Sequence, residues 1–389
     1  MLLRYRGMVS VIQAVFREHF AAYSGAHRLP LRVLKAGEAI KECRTAALGG
    51  HVQRCPEGHV ERVWYNSCKH RACPVCAFLE TKKWVHKQIG RLLDCDYYHT
   101  IFTIPWELNI LWAYNRRMFT NLLFTAAWES LKELLADEKY LGALPGALAS
   151  FHSWTQTLRV HPHAHLLVTG GGMTPDGRWV RSQDEFLLPS RVLSAKFKGK
   201  FLALLRQAVE KEKLTLPPAL SVQQGLNLFN KLGRSKWHVM IMPPYRHGRG
   251  VIQYLGRYVR GGPVSNRRVT ADGDEAIRLR YKDPTRTQTL SMRLTIPEFL
   301  GRLLRHIPET GAHLNRAYGL FAPGKRAVLD AARALLGQLP VTDEEMLTWQ
   351  LACAQAGPEH PELCPVCGRP LIRVELSPTG LAPPCQEAA

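Results

Sequence analysis

The sequence predicts an α+β protein built around an antiparallel sheet flanked by helices, with a separate helical and cysteine-rich module at the N-terminal side. Two observations carry this prediction. Runs rich in β-branched and aromatic residues alternate irregularly with helical periodicity, and hairpin signals join several of them. A Cys/His-rich segment at 43–76 precedes the first such run. We therefore expect three parts, at 1–95, 96–310 and 311–389.

The first elements are helices. Apolar residues recur at helical spacing in 8–23 and 30–42, and a further helix at 77–93 follows the cysteines. The run "YYHTIFTIP" at 97–105 predicts a strand, because it is rich in β-branched and aromatic residues and ends at proline. A long helical stretch, of one helix or two, is expected at 106–140.

The middle of the chain predicts the sheet. "ALASFHSWTQTL" (147–158) and "HAHLLVTG" (163–170) are typical of neighbouring antiparallel strands. A basic helix at 190–213, a strand at 236–243 and a short helix at 250–261 follow. The remaining expected elements are strands within 267–283 and at 287–296, and helices at 297–306, 323–337 and 342–355.

The charge of the chain indicates its partner. Lys and Arg number 52 against 32 Asp and Glu, a net charge of +20. Such an excess favours a partner made of phosphates, and the absence of a basic amphipathic stretch favours nucleic acid over a membrane surface. No apolar run approaches the ~20 residues of a membrane span, and the N-terminus lacks the pattern of a signal peptide. The ten cysteines are therefore expected in a reducing compartment, where they indicate metal binding or catalysis.

The segment 43–76 has the spacing of a zinc site. A Cys-x3-His pair and a Cys-x2-Cys knuckle together supply the four N/S ligands that zinc prefers, and a further cysteine makes one candidate too many. The number of ions, one or two, stays open. The candidate ligands are Cys55, His59, Cys68, Cys73 and Cys76, with Cys43, His51 and His70 close by. The basic residues expected to contact phosphates from this module are Arg54, Lys69 and Arg71.

A second knuckle lies near the C-terminus. "CPVCGRPL" at 364–371 places Cys364 and Cys367 at the spacing of a zinc ligand pair. Its partner ligands are left open among loosely spaced residues, namely Cys353, His360 and Cys385.

Three histidines alternate in "HPHAHLLVTGGG" at 161–172. Alternate residues of a strand point to one face, so His163 and His165 are expected to hold one divalent cation. His161 has the same parity. Pro162 cannot donate to a sheet ladder, and we expect it to mark the start of the strand and to leave His161 outside.

"YLGRY" places Tyr254 and Tyr258 at i and i+4, on one face of a basic helix. A phenol with a pKa of about 10 is a poor nucleophile, but a bound metal that polarises the target phosphodiester and arginines that favour phenolate can offset this. The expected chemistry is a transesterification at phosphorus that leaves a phosphotyrosine and needs no ATP. The arginines expected to bind the DNA there are Arg246, Arg249, Arg257 and Arg260.

These motifs carry a family resemblance. "HPHAHLLVTGGG" resembles the His-hydrophobic-His (HUH) motif of single-strand endonucleases, and "YLGRY" resembles the paired tyrosines of their two-tyrosine branch. Together with the cysteine-rich segment, and with "LRYKDPTRTQ" and "RAYGLFAPGKR" further on, they are similar to bacterial rolling-circle insertion-sequence transposases of the IS ninety-one kind. The resemblance extends from about residue 10 to 370.

The resemblance implies an HUH-type antiparallel sheet and a catalytic Mg²⁺ or Mn²⁺ on His163 and His165. A third ligand of such enzymes is His, Glu or Gln, and Gln156 on the preceding strand is the expected one. One tyrosine would nick single-stranded DNA to give a 5′-phosphotyrosine and the other would act in strand transfer, in an order left open. The implied partners are single-stranded DNA and the hairpin ends of the element, in the bacterial cytoplasm at the nucleoid. The first knuckle departs from the usual Cys-x-x-Cys, so His59 is taken as a substitute ligand.

Two alternatives remain beside this hypothesis. A rolling-circle replication initiator or a relaxase would share the same chemistry, although the zinc module favours the transposase. A non-catalytic, zinc-dependent DNA-binding protein belongs to another class, and it predicts that changes to the tyrosines leave every activity intact. The oligomeric state is left open.

Overall fold

The computed structural model describes residues 10–183, 185–256, 262–283, 288–342, 347–354 and 360–378. The helices of this part are α1 (Val11–Ala26), α2 (Leu31–Glu42), α3 (Phe78–Ile89), α4 (Asn109–Tyr114), α5 (Arg116–Ala136), α6 (Ser190–Glu210), α7 (Val222–Arg234), α8 (Arg249–Gly256), α9 (Ile296–Leu304), α10 (Arg326–Leu335) and α11 (Trp349–Ala354). Within these ranges, no helix has the length and apolarity that a membrane crossing requires.

The strands of the described residues are β1 (Gly50–Arg54), β2 (Glu61–Tyr65), β3 (Tyr97–Thr103), β4 (Leu144–Trp154), β5 (Val160–Met173), β6 (Trp179–Arg181), β7 (Val239–Ile241), β8 (Val269–Ala271), β9 (Ala276–Lys282), β10 (Thr289–Thr295), β11 (Asn315–Gly319) and β12 (Ile372–Leu376). The sequence did not predict β1, β2, β6, β11, β12 or α7.

The central sheet has the order β11-β4-β5-β3-β7, and β6 pairs with the far end of β5. Every pairing in it is antiparallel. Helices cover both faces, and an N-terminal helical and cysteine-rich module adjoins it. The predicted α+β class, with an antiparallel sheet flanked by helices, is confirmed.

Alternation along the strands gives the central sheet two different faces. On one face, Phe102 of β3 and Leu166 of β5 are fully buried and pack into a large core with Phe124 of α5 and Phe197 of α6. Burying a side chain of this size stabilises the fold by roughly 1.5–3 kcal/mol. Residues of the opposite parity, among them Leu167, pack beneath α8 and α10. The histidines of β5 share the parity of Leu167, so they lie on the α8 side.

The N-terminal helices belong to a second core. The apolar faces of α1 and α2 pack with α9 and with the three-stranded sheet β10-β9-β8. Helix α9 begins with a capping box, in which Thr295 and Glu298 satisfy each other's backbone N–H groups. Cys43 and Cys73 are fully buried in this second core, which therefore extends to the predicted zinc ligands.

The third sheet has the order β12-β1-β2, so the last described strand pairs with the N-terminal hairpin. Its register pairs Gly50 with Leu376 and Arg54 with Ile372. The segment expected as a C-terminal part at 311–389 is thus distributed in space. Its first strand, β11, completes the central sheet beside β4, and its last strand joins the N-terminal module.

Candidate metal centres and the tyrosine helix

Three histidines from two adjacent strands meet on the α8 side of the central sheet. His152 of β4 is the register partner of His163 of β5, and His165 is two residues further along β5. One ring nitrogen from each lies within 4.8 Å of the others, and all three side chains are buried. Neutral imidazoles on a rigid sheet are good ligands for a divalent cation, so the cluster is a candidate metal centre.

Hydrogen bonds orient two of these rings. Nδ1 of His163 lies 2.6 Å from the carbonyl oxygen of His161. Because a carbonyl only accepts, Nδ1 carries the proton and Nε2 keeps its lone pair. Nδ1 of His165 lies 2.8 Å from Nε2 of His99 on β3. Nε2 of His165 is buried and has no hydrogen-bond partner among the described residues. Its lone pair is therefore available to bind a metal ion.

Burial keeps these imidazoles neutral. Desolvation lowers the pKa of His163 to about 4 and that of His99 to about 4. It also lowers the pKa values of His152 and His165 well below 6.5, and the neighbouring imidazoles lower them further. Since only the neutral imidazole ring binds a metal ion, these histidines have the protonation state required for metal binding throughout the physiological pH range.

His161 is not part of the cluster, but the reason differs from the expected one. Strand β5 begins at Val160, so Pro162 is inside the strand rather than at its start. The register shifts between His152 and Trp154 of β4, where β5 has one extra residue. Pro162 is tolerated at this bulge, and β3 pairs no further than His163.

Gln156 does not join the histidines. Its side-chain oxygen accepts a hydrogen bond of 2.7 Å from the backbone N–H of Lys282, at the end of β9. Its own carbonyl accepts from Arg268. The structure brings His152 to the cluster in its place, because His152 faces the same side of the neighbouring strand.

The tyrosine helix α8 lies beside these histidines. The helix residues Val251, Ile252 and Leu255 are buried, whereas Tyr254 on the same helix is 39% exposed. The centroid of the Tyr254 ring is 6.1 Å from that of His99 and 6.3 Å from that of His165. A residue with a solvent-accessible phenol therefore adjoins the candidate metal centre. The other predicted residues of this segment, Arg257, Tyr258 and Arg260, lie outside the described residues.

Helix α8 also contacts the N-terminal module. A Cβ added to Gly256 would come within 2.3 Å of Cγ2 of Val85 on α3. This close approach requires glycine and fixes the distance between the two helices. The position of Tyr254 thereby depends on α3, which follows the cysteine knuckle.

The predicted DNA-binding residues differ in their surroundings. Arg246 and Arg249 are exposed, the latter at the first residue of α8, and Lys69 is exposed near the knuckle. Arg54 is exposed and pairs with Glu61 at 2.9 Å. Arg71 is partly buried, and its Nη1 donates to the carbonyl of Ala312 at 2.7 Å. Arg71 therefore has a clear structural role in joining two segments of the chain.

The predicted zinc ligands fall into two separate clusters in the structure. Cys68, Cys73 and Cys76 meet Cys43, with all four sulfurs within 4.8 Å of one another and Cys68 3.6 Å from Cys76. A zinc tetrahedron with Zn–S bonds of about 2.3 Å has sulfur–sulfur edges of about 3.8 Å. Hydrogen bonds from the other three sulfurs lower the pKa of Cys76, whereas the same interactions raise that of Cys73. Thiolates this close together would repel one another, and a bound divalent cation would offset that repulsion.

The other two expected ligands are in a separate cluster. Cys55 and His59 meet Cys364 and Cys367 of the second knuckle, again within 4.8 Å of one another. None of the three residues considered as partners of that knuckle (Cys353, His360, Cys385) is in this group, and Cys385 lies outside the described residues. His51 and His70 are in neither cluster.

Sequence reasoning missed His152 and His99. Each is a single histidine within a predicted strand, in "ALASFHSW" and "YYHTIF" respectively. Only the register of β4 and β3 against β5 brings them to His163 and His165. Strand parity could have marked them as candidates, but not the pairing that makes them neighbours.

Two family models match the chain. A family model described as "Transposase zinc-binding domain" matches residues 15–104, and one described as "Putative transposase" matches residues 146–328. The first range contains the four-cysteine cluster, and the second contains the three histidines and Tyr254.

Two curated proteins are similar over most of their length. The chain is 36% identical over 331 residues to "Putative transposase y4qJ" of Sinorhizobium fredii, which covers 83% of each chain. It is also 30% identical over 300 residues to the transposase for insertion sequence element IS801 of Pseudomonas savastanoi pv. phaseolicola. This alignment covers 75% of this chain and 69% of the relative. No solved structure matches.

Proposed function

Because this chain belongs to the IS91-type family of insertion-sequence transposases, which carry a zinc-binding domain, we propose that it nicks single-stranded DNA with Tyr254 and transfers the strand in rolling-circle transposition. One observation carries this proposal. The exposed phenol of Tyr254 lies on the face of the sheet that bears the histidine cluster, with its ring 6.3 Å from that of His165. Nucleophile and candidate metal centre are thus neighbours.

His152, His163 and His165 would hold the catalytic Mg²⁺ or Mn²⁺. The buried and unpartnered Nε2 of His165 fits such an ion, as do the low pKa values that burial imposes on the cluster. When bound, the ion polarises the scissile phosphodiester and makes its phosphorus more electrophilic. His99 orients His165 through their hydrogen bond and acts as a positioning residue.

The residues of this chain perform the covalent step. The phenolic oxygen of Tyr254 attacks phosphorus, and its proton leaves to solvent, to which the side chain is open. The bond from phosphorus to the 3′ oxygen breaks, and that oxygen takes up a proton. The products are a 5′-phosphotyrosine and a free 3′ hydroxyl, so the energy of the phosphodiester is kept for rejoining. Tyr258, by resemblance to the two-tyrosine branch, would accept the strand in the transfer step.

Positive charge would guide the DNA to this helix. Arg246 and Arg249 are exposed at the beginning of α8, and the whole chain carries a net charge of +20. Backbone phosphates on either side of the scissile bond would contact these guanidinium groups, and such contacts bind without regard to sequence. Recognition of the hairpin ends would fall to the N-terminal module, with exposed Lys69 and Arg54 as candidates.

A structural zinc on Cys43, Cys68, Cys73 and Cys76 would support the same site. This cluster joins the end of α2 to the start of α3, and α3 packs directly against the tyrosine helix at Gly256. Structural zinc supplies folding free energy to small modules, on the order of 10 kcal/mol. Loss of the ion would therefore disturb both the DNA-recognition module and the support of α8.

The test is capture of the covalent intermediate. Single-stranded oligonucleotides from either end of the element, labelled at the 3′ end, are incubated with purified protein and Mn²⁺. The labelled fragment should remain on the protein in denaturing gels, and Tyr254→Phe combined with Tyr258→Phe should abolish the adduct while single-strand binding persists. His163→Ala should abolish it as well.

Tyr245→Phe is the matched control. Tyr245 precedes the same helix, is similarly exposed and uses only backbone groups to pair with Tyr97. It should keep full adduct formation. An adduct that survives the double tyrosine change would overturn the assignment of the nucleophile. Binding without any adduct in the wild type would favour the non-catalytic DNA-binding alternative.

A further inference from the structure

We infer that Cys55, His59, Cys364 and Cys367 form a second zinc site that joins the two ends of the chain. The site is independent of the proposed tyrosine chemistry, because none of its ligands belongs to the histidine cluster or to α8. Its ligands come from two turns more than 300 residues apart in the sequence, and the Cys55 and Cys367 sulfurs that contact each other are separated by 312 positions.

The interatomic distances are those of coordination. Sγ of Cys55 lies 3.6 Å from Sγ of Cys367 and 3.6 Å from Nδ1 of His59. With Zn–S of about 2.3 Å and Zn–N of about 2.0–2.1 Å, a tetrahedron has S–S edges of about 3.8 Å and S–N edges of about 3.6 Å. The sulfurs are too far apart for a disulfide, whose S–S bond is about 2.0 Å. Three thiols and one imidazole make a complete Cys₃His set.

The two turns have the same construction. Each begins with Cys-Pro, and the N–H of that cysteine donates to the carbonyl five residues on, from Cys55 to Val60 and from Cys364 to Arg369. Each contains a glycine in the left-handed region, Gly58 with φ of 76° and Gly368 with φ of 70°. Two ligand-bearing turns of matching geometry therefore face each other.

Backbone N–H groups also favour thiolate at the second turn. The backbone N–H groups of Val366 and Cys367 donate hydrogen bonds to Sγ of Cys364. Hydrogen bonds of this kind are the usual outer support of zinc-bound cysteine.

Apolar packing contributes little to holding the C-terminal strand among the described residues. All of β12 is exposed except its last residue, with Ile372 54% exposed and Val374 48% exposed. None of its residues belongs to the three hydrophobic cores of the described chain. Among the described residues, the contacts of this segment include the ladder with β1, an ion pair of Arg369 with Glu57, and hydrogen bonds from Gln53 to Pro361 and from Gln350 to Glu362. Exposed ion pairs contribute little to stability, so a metal ion would add stabilisation that these contacts do not supply.

Zinc content measured by native mass spectrometry tests this site. Two pair variants are compared, Cys55→Ser with His59→Ala, and Cys364→Ser with Cys367→Ser. We expect each to hold one zinc fewer than the wild type. The combination of all four changes should also hold only one fewer, because both pairs bind the same ion. Cys353→Ser, which changes a cysteine outside both clusters, should keep the wild-type number.

A conservative variant covers the case in which these proteins fail to fold. His59→Cys replaces the exposed imidazole with a fourth thiolate and should keep the wild-type number of ions. After cobalt substitution, its thiolate charge-transfer absorption should increase over that of the wild type, while Cys353→Ser leaves the spectrum unchanged. The inference is overturned if the C-terminal pair variant keeps the wild-type zinc content, if the combined variant loses two ions, or if His59→Cys leaves the cobalt spectrum unaltered.

Discussion

His99→Ala should weaken the proposed metal site of the histidine cluster without changing any of its three ligands. His99 is buried on β3, and its low pKa of about 4 makes its ring neutral at pH 7. Its Nε2 can then accept the proton of His165 Nδ1 across 2.8 Å, which leaves Nε2 of His165 for the ion. Removal of the acceptor frees the ring of His165 to rotate or to change its tautomer.

The magnitude follows from two independent considerations. A buried N–H left without its acceptor costs about 1–3 kcal/mol. Loss of a hydrogen-bond partner behind a metal-bound histidine weakens metal affinity by about 10–100-fold, and this factor equals about 1.4–2.8 kcal/mol. The two ranges agree. We therefore expect the Mn²⁺ concentration for half-maximal nicking to rise by about 10–100-fold, with the rate restored at saturating Mn²⁺.

The assay is adduct formation on single-stranded DNA across a Mn²⁺ titration, with Mn²⁺ binding followed by electron paramagnetic resonance. His99→Gln keeps an acceptor and should remain close to the wild type. His161→Ala changes a histidine outside the cluster, and because its carbonyl still accepts from His163, it should nick normally. An unchanged Mn²⁺ midpoint in His99→Ala would refute the positioning role. So would a loss of rate that saturating Mn²⁺ does not restore.

Three further predictions concern pH, salt and packing. Because burial lowers the pKa of His163 from 6.5 to about 4, the folded state binds fewer protons, and the free energy of unfolding of chelator-treated protein should fall as pH drops from 6.5. Urea titrations should show a loss approaching about 3 kcal/mol from this group near pH 4, and an equal loss in His163→Gln would contradict the assignment. Arg246→Ala and Arg249→Ala should each reduce the slope of log affinity for single-stranded DNA against log salt by about 0.7. Arg71→Ala, whose guanidinium is bonded to Ala312, should leave that slope unchanged, and equal slopes in all three variants would remove α8 from the DNA path. Gly256→Ala should lower stability by about 1–3 kcal/mol, because its methyl group would meet Val85 at 2.3 Å. Val85→Ala should restore the melting temperature in the double variant, whereas a neutral Gly256→Ala would mean that the two helices are not in tight contact.

Local patterns in the sequence were sufficient for part of the site. The alternation of His163 and His165 is visible in three residues, and Tyr254 is marked by its basic helix. His99 and His152 required the pairing of three strands, which depends on contacts distant in sequence. Pro162 was expected to begin a strand, but a bulge accommodates it inside β5. The register shift between β4 and β5 overrode the local preference of proline there.

The candidate zinc ligands show the same limit of what can be predicted from sequence. Sequence spacing suggested that the cysteines bind metal, but it grouped Cys55 and His59 with the nearest cysteines along the chain. The structure places their partners at Cys364 and Cys367, which no spacing rule could connect. The short strand β2 ("ERVWY") lacks the apolar alternation that predicts a strand. Strand β12 ("IRVEL") does alternate, over only five residues, and was missed. Their pairing is visible only in the register of β1 with β2 and with β12.

The pairing of β12 with β1 also sets the order in which this protein can mature during its own synthesis. Strands β1 and β2 leave the ribosome early, whereas the strand that completes their sheet is at Ile372–Leu376. At ~5–20 residues per second, translation of the intervening chain takes about 15–60 s, during which the hairpin has neither its third strand nor the second pair of cysteines. A message cut short anywhere before that strand yields a protein with its tyrosine helix but an incomplete N-terminal sheet. Only products translated through β12 therefore carry the complete three-stranded sheet.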